Sequence, residues 1–192
     1  IAQRQPGRVR LKWHQGELEL SLRDGMIVAA EGPNPEALGI VLGAEDRDDR
    51  NLISRAHAIA EQREISETEI VAKAKELIQR CLAEWMVDPD RHMEIADELP
   101  EASGGHCISA THALVEMVLS DTAGELAGRI LSDLDTLLRR CDGFLELYAP
   151  LRLSEEADLI VAKITGQRTA KDITSRSPHP AEEVLPLLAA LT

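Results

Sequence analysis

The sequence predicts an α+β fold: a small antiparallel sheet with covering helices, then a mostly helical second half ending in a three-helix, helix-turn-helix-like segment. Three observations carry this. Residues 7–31 alternate apolar and polar side chains between tight-turn signals, the mark of half-buried strands. Residues 66–86 carry an apolar stripe at helical spacing. Residues 151–191 hold three closely spaced helix starts.

In the first run Val9, Leu11 and Trp13 alternate with Arg8, Arg10 and Lys12. His14-Gln15-Gly16 turns the chain, and Leu18, Leu20 and Leu22 alternate with Glu17, Glu19 and Ser21. Arg23-Asp24-Gly25 makes the next turn, Asp-Gly being a strong hairpin signal, and Met26 to Ala30 form a third strand. The period then changes. Asn34-Pro35-Glu36 combines a cap, a proline at the first helical position and an acid near the positive end, and that short helix stops near Gly43. The acidic stretch 45–50 reads as a loop, and Leu52, Ile53, Ala56, Ile59 and Ala60 mark a second helix.

Ser66-Glu67-Thr68-Glu69 is a capping box, in which serine and glutamate satisfy each other's free backbone donors. Behind it Ile70, Ala74, Leu77, Ile78, Cys81, Leu82 and Trp85 recur at three and four, and Pro89 lies past the end. His92 to Ala96 returns as a strand. The Pro-Glu-Ala-Ser-Gly-Gly stretch at 100–105 is linker-like, which divides the chain into an α+β domain, 1–100, and a helical subdomain, 101–192. Ser109 caps a helix carrying Ala113, Leu114, Met117 and Val118. Leu126, Ile130, Leu134, Leu137, Leu138 and Cys141 suggest another helix, interrupted near Ser132, and Phe144 to Tyr148 a short strand. In the tail, helices start at Ser154-Glu155-Glu156, at Thr169 with Asp172, and at Pro180 with Glu182 and Glu183, the first of them ending at Gly166.

Composition narrows the function. Aromatics make up 2% of the 192 residues, so the core is aliphatic and the stacking platforms that single-stranded nucleic acids use are scarce. A net charge of -13 repels phosphate backbones. No apolar run approaches the ~20 residues needed to cross a bilayer, and no secretory leader opens the chain, so membrane insertion is not expected. Cys81, Cys107 and Cys141 cannot all pair, and Cys81 and Cys141 fall in apolar helical patterns, which points to a reducing, cytoplasmic setting. The chain opens at Ile1 rather than Met, as a piece of a longer protein would.

The chemistry-bearing residues do not converge on a reaction. His106, Cys107 and His112 are metal-ligand types, but a structural zinc site takes four ligands, and adjacency strains joint ligation by His106 and Cys107. They are expected to be a loop histidine, a buried thiol and a helix-surface histidine. Asp46, Asp48 and Asp49 resemble the start of a calcium loop, but Arg50 and Asn51 break its frame. Asp88, Asp90 and His92 read as a proline-containing turn. Ser103-Gly104-Gly105 lacks the glycine-flanked serine of a nucleophile elbow, and no phosphate-cradling loop occurs. The tail sets Arg152, Lys163, Arg168, Lys171 and Arg176 against Glu155, Glu156, Asp158, Asp172, Glu182 and Glu183, a poor match to the basic stripe of a DNA reader. Arg8, Arg10 and Lys12 share one strand face and are the interface candidates, suited to an acidic partner or a second subunit.

The order of pieces resembles the PATAN domain family of bacterial signalling proteins. The resemblance begins at Gly7-Arg8-Val9-Arg10-Leu11 and runs through Leu18-Glu19-Leu20-Ser21-Leu22-Arg23-Asp24-Gly25-Met26-Ile27-Val28-Ala29-Ala30-Glu31. It continues in Pro35-Glu36-Ala37-Leu38-Gly39-Ile40-Val41-Leu42, in the 66–86 helix with its late tryptophan, and in tail pieces such as Leu153-Ser154-Glu155-Glu156 and Ile164-Thr165-Gly166. The stretch 45–50 is more charged than the family pattern. The resemblance implies a non-enzymatic signalling adaptor or scaffold, without cofactor, whose partner is a protein such as a response regulator or motility or pilus machinery. It brings no catalytic residues. Two readings from other classes stand beside it: a DNA-binding regulator using the tail, and a metal or thiol sensor using His106 and Cys107.

Overall fold

The computed structural model describes residues 7–32, 66–96, 107–121 and 124–192. The expected helices over 34–43 and 52–60, the acidic loop between them and the linker at 100–105 lie outside the described residues. The chain forms two compact units, Ile1–Ala113 and Leu114–Thr192, so the division falls beyond the 100/101 boundary read from the linker composition. The α+β class holds: among the described residues there are a five-stranded antiparallel sheet and seven α-helices.

In the first unit β1 (Gly7–Trp13), β2 (Gly16–Arg23) and β3 (Met26–Glu31) form the expected meander. The second turn has both central residues at positive φ, Asp24 at 52° and Gly25 at 78°, the backbone of the tight hairpin turn that follows strand twist. A Cβ at Gly25 would meet nothing within 4 Å, so the only cost of alanine there is backbone conformation. Gly25→Ala is expected to destabilise the unit by about 1–2 kcal/mol, the cost of left-handed backbone for an L-residue, and Gly25→Asn by less than half as much. Urea titration followed by tryptophan fluorescence checks this, and equal losses for the two variants would refute it.

Helix α1 (Glu67–Val87) starts at Ser66, whose Oγ accepts the Glu69 N–H at 3.3 Å, the serine half of the expected capping box. Its stripe buries Ala74, Leu77, Ile78 and Leu82, and the helix packs on β1. The opposing core is Leu11, Trp13, Leu18 and Leu20, as the strand alternation requires, together with Ile27 and Ala30 on β3. The chain then returns as β4 (His92–Ala96), antiparallel to β1, with the Trp85 indole N–H donating to the His92 carbonyl at 3.0 Å. On the far side β5 (Ile108–Ser109) pairs with β3, giving the order β4-β1-β2-β3-β5. Ser109 Oγ accepts the His112 N–H and so starts α2 (Ala110–Leu119), as expected. The apolar face of α2 differs from the expectation at one position: Val115 is buried and Leu114 is 43% exposed.

In the second unit α3 (Glu125–Ile130) stops just before Ser132, where an interruption was expected, but it does not resume beyond it. Asp133 breaks it, its carboxylate accepting from the Asp135 N–H at 2.9 Å and the Thr136 hydroxyl at 3.0 Å, a side-chain turn that competes with helix. Leu137–Leu138 is instead β6, paired with β7 (Arg168–Thr169), and Cys141 is exposed rather than part of an apolar helical face. The Phe144–Tyr148 segment, expected as a strand, is helix α4. Helical spacing brings Phe144 and Tyr148 onto one face, their rings stacked at 5.6 Å, which outweighs the period-two appearance of Phe-Leu-Glu-Leu-Tyr.

The three tail helices form where expected: α5 (Glu155–Val161), α6 (Ala170–Ser175) and α7 (Ala181–Ala190). Ser154 caps the first, and Thr169 and Asp172 form a complete capping box on the second. Helix α5 ends before Gly166, whose role is different: at φ 82° it lets its N–H reach the Leu138 carbonyl at 2.9 Å. Helix α7 packs against α3, α5 and α6, burying Val184, Leu187, Leu188 and Ala189.

Tyr148 Oη donates to Asp158 Oδ1 at 2.6 Å, tying α4 to α5. Burial, then that bond and the Asp158 charge, push the phenol up to about 12. Because Tyr148 is the chain's single tyrosine, absorbance titration reads this group alone. Asp158→Asn is expected to move its ionisation back toward 10; an unchanged titration curve would show that Asp158 does not contribute.

Candidate functional site

Pairing with β2 and β4 surrounds the basic row of β1 with acids. Arg10 lies across from Glu19 on one side and Glu94 on the other, and Lys12 across from Glu17 and His92. Arg10 Nη2 reaches Glu19 Oε2 at 2.7 Å, and Arg10 Nε reaches Glu17 Oε1 at 3.1 Å. Lys12 Nζ bonds Glu94 Oε1 at 3.1 Å, and Arg8 Nη1 bonds Glu19 Oε1 at 3.4 Å. The three predicted interface residues are therefore brought together, but as part of a mixed-charge ladder rather than a bare cationic patch. The Lys12 bond holds the Glu94 carboxyl below the usual range, and hydrogen bonding to Glu19 raises the Arg10 guanidinium further. Arg10, Lys12, Glu17 and Glu94 each keep about two-fifths or more of their side-chain surface open, so a partner can reach the ladder.

Of the metal-type cluster, His106 lies outside the described residues. Cys107 is exposed, not the buried thiol expected, because β5 begins only after it. His112 is half-buried on the first turn of α2. Among the described residues no three His, Cys, Asp or Glu side chains are grouped to hold a metal ion. The Asp46, Asp48 and Asp49 stretch and Ser103 also lie outside the described residues. Asp88 does the work of a turn: its carboxylate accepts the Asp90 N–H at 2.7 Å and the His14 N–H at 3.0 Å, joining the β1–β2 turn to the end of α1.

Two features were not foreseen from the sequence. The strand at His92–Ala96 was expected, but not its place at the sheet edge, where all five residues are exposed, with Met93 at 50% and Ile95 at 67%. The second is an open hollow of about 520 Å³ in the second unit, floored by Leu119, Leu153, Ile160 and Leu187 and rimmed by Glu156, His179 and Glu183. His179 Nδ1 lies 3.6 Å from Glu183 Oε2, one helical turn along. Glu156 is held below the usual carboxylate range by a backbone N–H and the Ser154 hydroxyl.

No helix among the described residues is long and apolar enough to cross a membrane. Comparison with protein-family models, curated proteins and solved structures finds no match to this chain.

Proposed function

We propose that the protein is a non-enzymatic, cytoplasmic signalling adaptor of PATAN type that recognises a protein partner through the charged face of its sheet. The observation that carries this reading is the ladder of Arg8, Arg10 and Lys12 against Glu17, Glu19 and Glu94, six charges held in register on one face, with Arg10, Lys12, Glu17 and Glu94 open to a partner. Mixed charge fixed on rigid strands favours register and partner choice over bulk attraction. Exposed ion pairs of this kind contribute little to folding, so the charges of Arg10 and Lys12 can be altered without unfolding the sheet. A DNA reader using α7, the last of the three tail helices, is disfavoured, because α7 spends its apolar face on α3, α5 and α6 and carries Glu182 and Glu183 but no basic residue.

Immobilised protein should retain specific partners from native cytosol. Arg10→Glu combined with Lys12→Glu should weaken that retention by tenfold or more, roughly the cost of one or two like-charge contacts, while circular dichroism stays unchanged. If the same proteins bind both forms equally, the charged face is not the recognition surface. Retention on DNA-coated resin at low salt would favour the rival reading instead.

A further inference from the structure

We infer that β4 is a homotypic pairing edge, through which two copies of this chain join their sheets antiparallel about Glu94. This goes beyond the adaptor reading, which concerns the charged face rather than the strand edge. Among the described residues β4 is an edge strand of the sheet, and all five of its residues are exposed. An edge of this kind is a template for another strand unless blocked.

The hydrogen-bond parity of β4 follows from the meander. The two-residue loop His14-Gln15 closes on the pair Trp13 and Gly16, and such a loop closes on a hydrogen-bonded pair. Bonded and non-bonded pairs alternate along an antiparallel ladder. Val9, Leu11 and Trp13 therefore direct their backbone groups to β2, and Arg8, Arg10 and Lys12 direct theirs to Ala96, Glu94 and His92. Met93 and Ile95 are left with their N–H and C=O groups aimed at the open edge.

Only a two-fold centred on Glu94 pairs all five residues of the strand with a second copy. In that register Met93 faces the second copy's Ile95, and Ile95 its Met93, each pair exchanging two backbone hydrogen bonds. These are also the residues with the most apolar surface to bury. Met93 stands beside Leu11 and Ile95 beside Val9, so the junction extends the apolar face of the sheet. On the other face the two Glu94 carboxylates meet, which alone would be repulsive. Each is already bonded to Lys12 at 3.1 Å and has Arg10 at 3.7 Å, and the second copy's His92 lies diagonally across. The charges thus run base, acid, acid, base across the junction.

Sedimentation equilibrium from about 1 µM to about 1 mM tests the inference, because so small an interface should dissociate on the order of 10–100 µM. The mass should climb from 21.1 kDa toward twice that value. Ile95→Lys should weaken association tenfold or more, and Ile95→Val should preserve it. Glu94→Cys, in a chain with Cys107→Ser and Cys141→Ser, should oxidise to a covalent dimer, because residues on a two-fold face each other. A mass that stays at 21.1 kDa throughout overturns the inference. So does a dimer indifferent to Ile95→Lys, or a monomer that loses a different protein when Ile95 is changed. Reversing Arg10 and Lys12 would also strip Glu94 of its counter-charges, so the two readings are separated by Ile95→Lys, which leaves the β1 row in place: lost association with partner retention unchanged bears on the edge alone.

Discussion

Ile78→Ala is expected to cost the first unit about 2–5 kcal/mol of unfolding free energy, the range for truncating a fully buried aliphatic side chain. Ile78 has no exposed surface, and it lies on α1 in the same stripe as Ala74, Leu77 and Leu82. Because a close-packed interior relaxes only in part around a truncated side chain, the loss includes a cavity as well as transfer energy. Two residues on, on the exposed side of the helix, Arg80→Ala removes an exposed contact to Glu76 at 3.8 Å and should cost under about 0.5 kcal/mol. The pair of variants isolates the buried face from helix propensity. Trp13 and Trp85 are the chain's two tryptophans and both belong to the first unit, so fluorescence during urea unfolding reports on it directly. A cost below 1 kcal/mol for Ile78→Ala would mean that α1 is not seated on the sheet as described.

The second large effect is in thiol chemistry. Burial, with the Glu84 charge adding to it, raises the Cys81 thiol from 9.0 to about 11. Two units of pKa mean about a hundredfold less thiolate near pH 8, and thiolate is the reacting form. With a disulfide-exchange reagent, Cys107 and Cys141, both exposed, should therefore react in a fast phase and Cys81, half-buried, in a distinctly slower one. The folded pKa is the higher one, so the stability contributed by the neutral thiol is intact below about 9 and falls as pH rises toward 11. Cys81→Ala should leave a single fast phase of two thiols. Three thiols reacting at one rate in the native protein would contradict the burial of Cys81.

Much of the first unit was legible because its signals are local. Alternation over 7–31, the Asp24-Gly25 turn and the Ser66 cap each act within a few residues, and each appears where the pattern placed it. What failed in the second unit failed for the same reason. Leu134, Leu137 and Leu138 fit a helical stripe, but Asp133 closes a turn on Thr136 and Leu137–Leu138 pairs with Arg168–Thr169, a partner too distant for periodicity to reveal. Phe144 to Tyr148 satisfied both periods, and ring stacking decided between them. The candidate site was half legible. Strand parity alone puts Arg8, Arg10 and Lys12 on one face, whereas their pairing with Glu94 depends on β4 returning beside β1. That return is a property of the assembled sheet.

The pairing of β2 with β3 skips Val28: Ser21 lies opposite Ala29, and Leu22 opposite Ile27. This extra residue is why Ile27 and Ala30, three apart, can both be buried on a strand whose side chains otherwise alternate. Deleting Val28 would give a ladder more regular on paper and a worse protein. The shortened strand could keep its turn end or its far end in phase with the apolar layer, but not both, so a spare residue is what reconciles the Asp24-Gly25 hairpin with the interior beneath it.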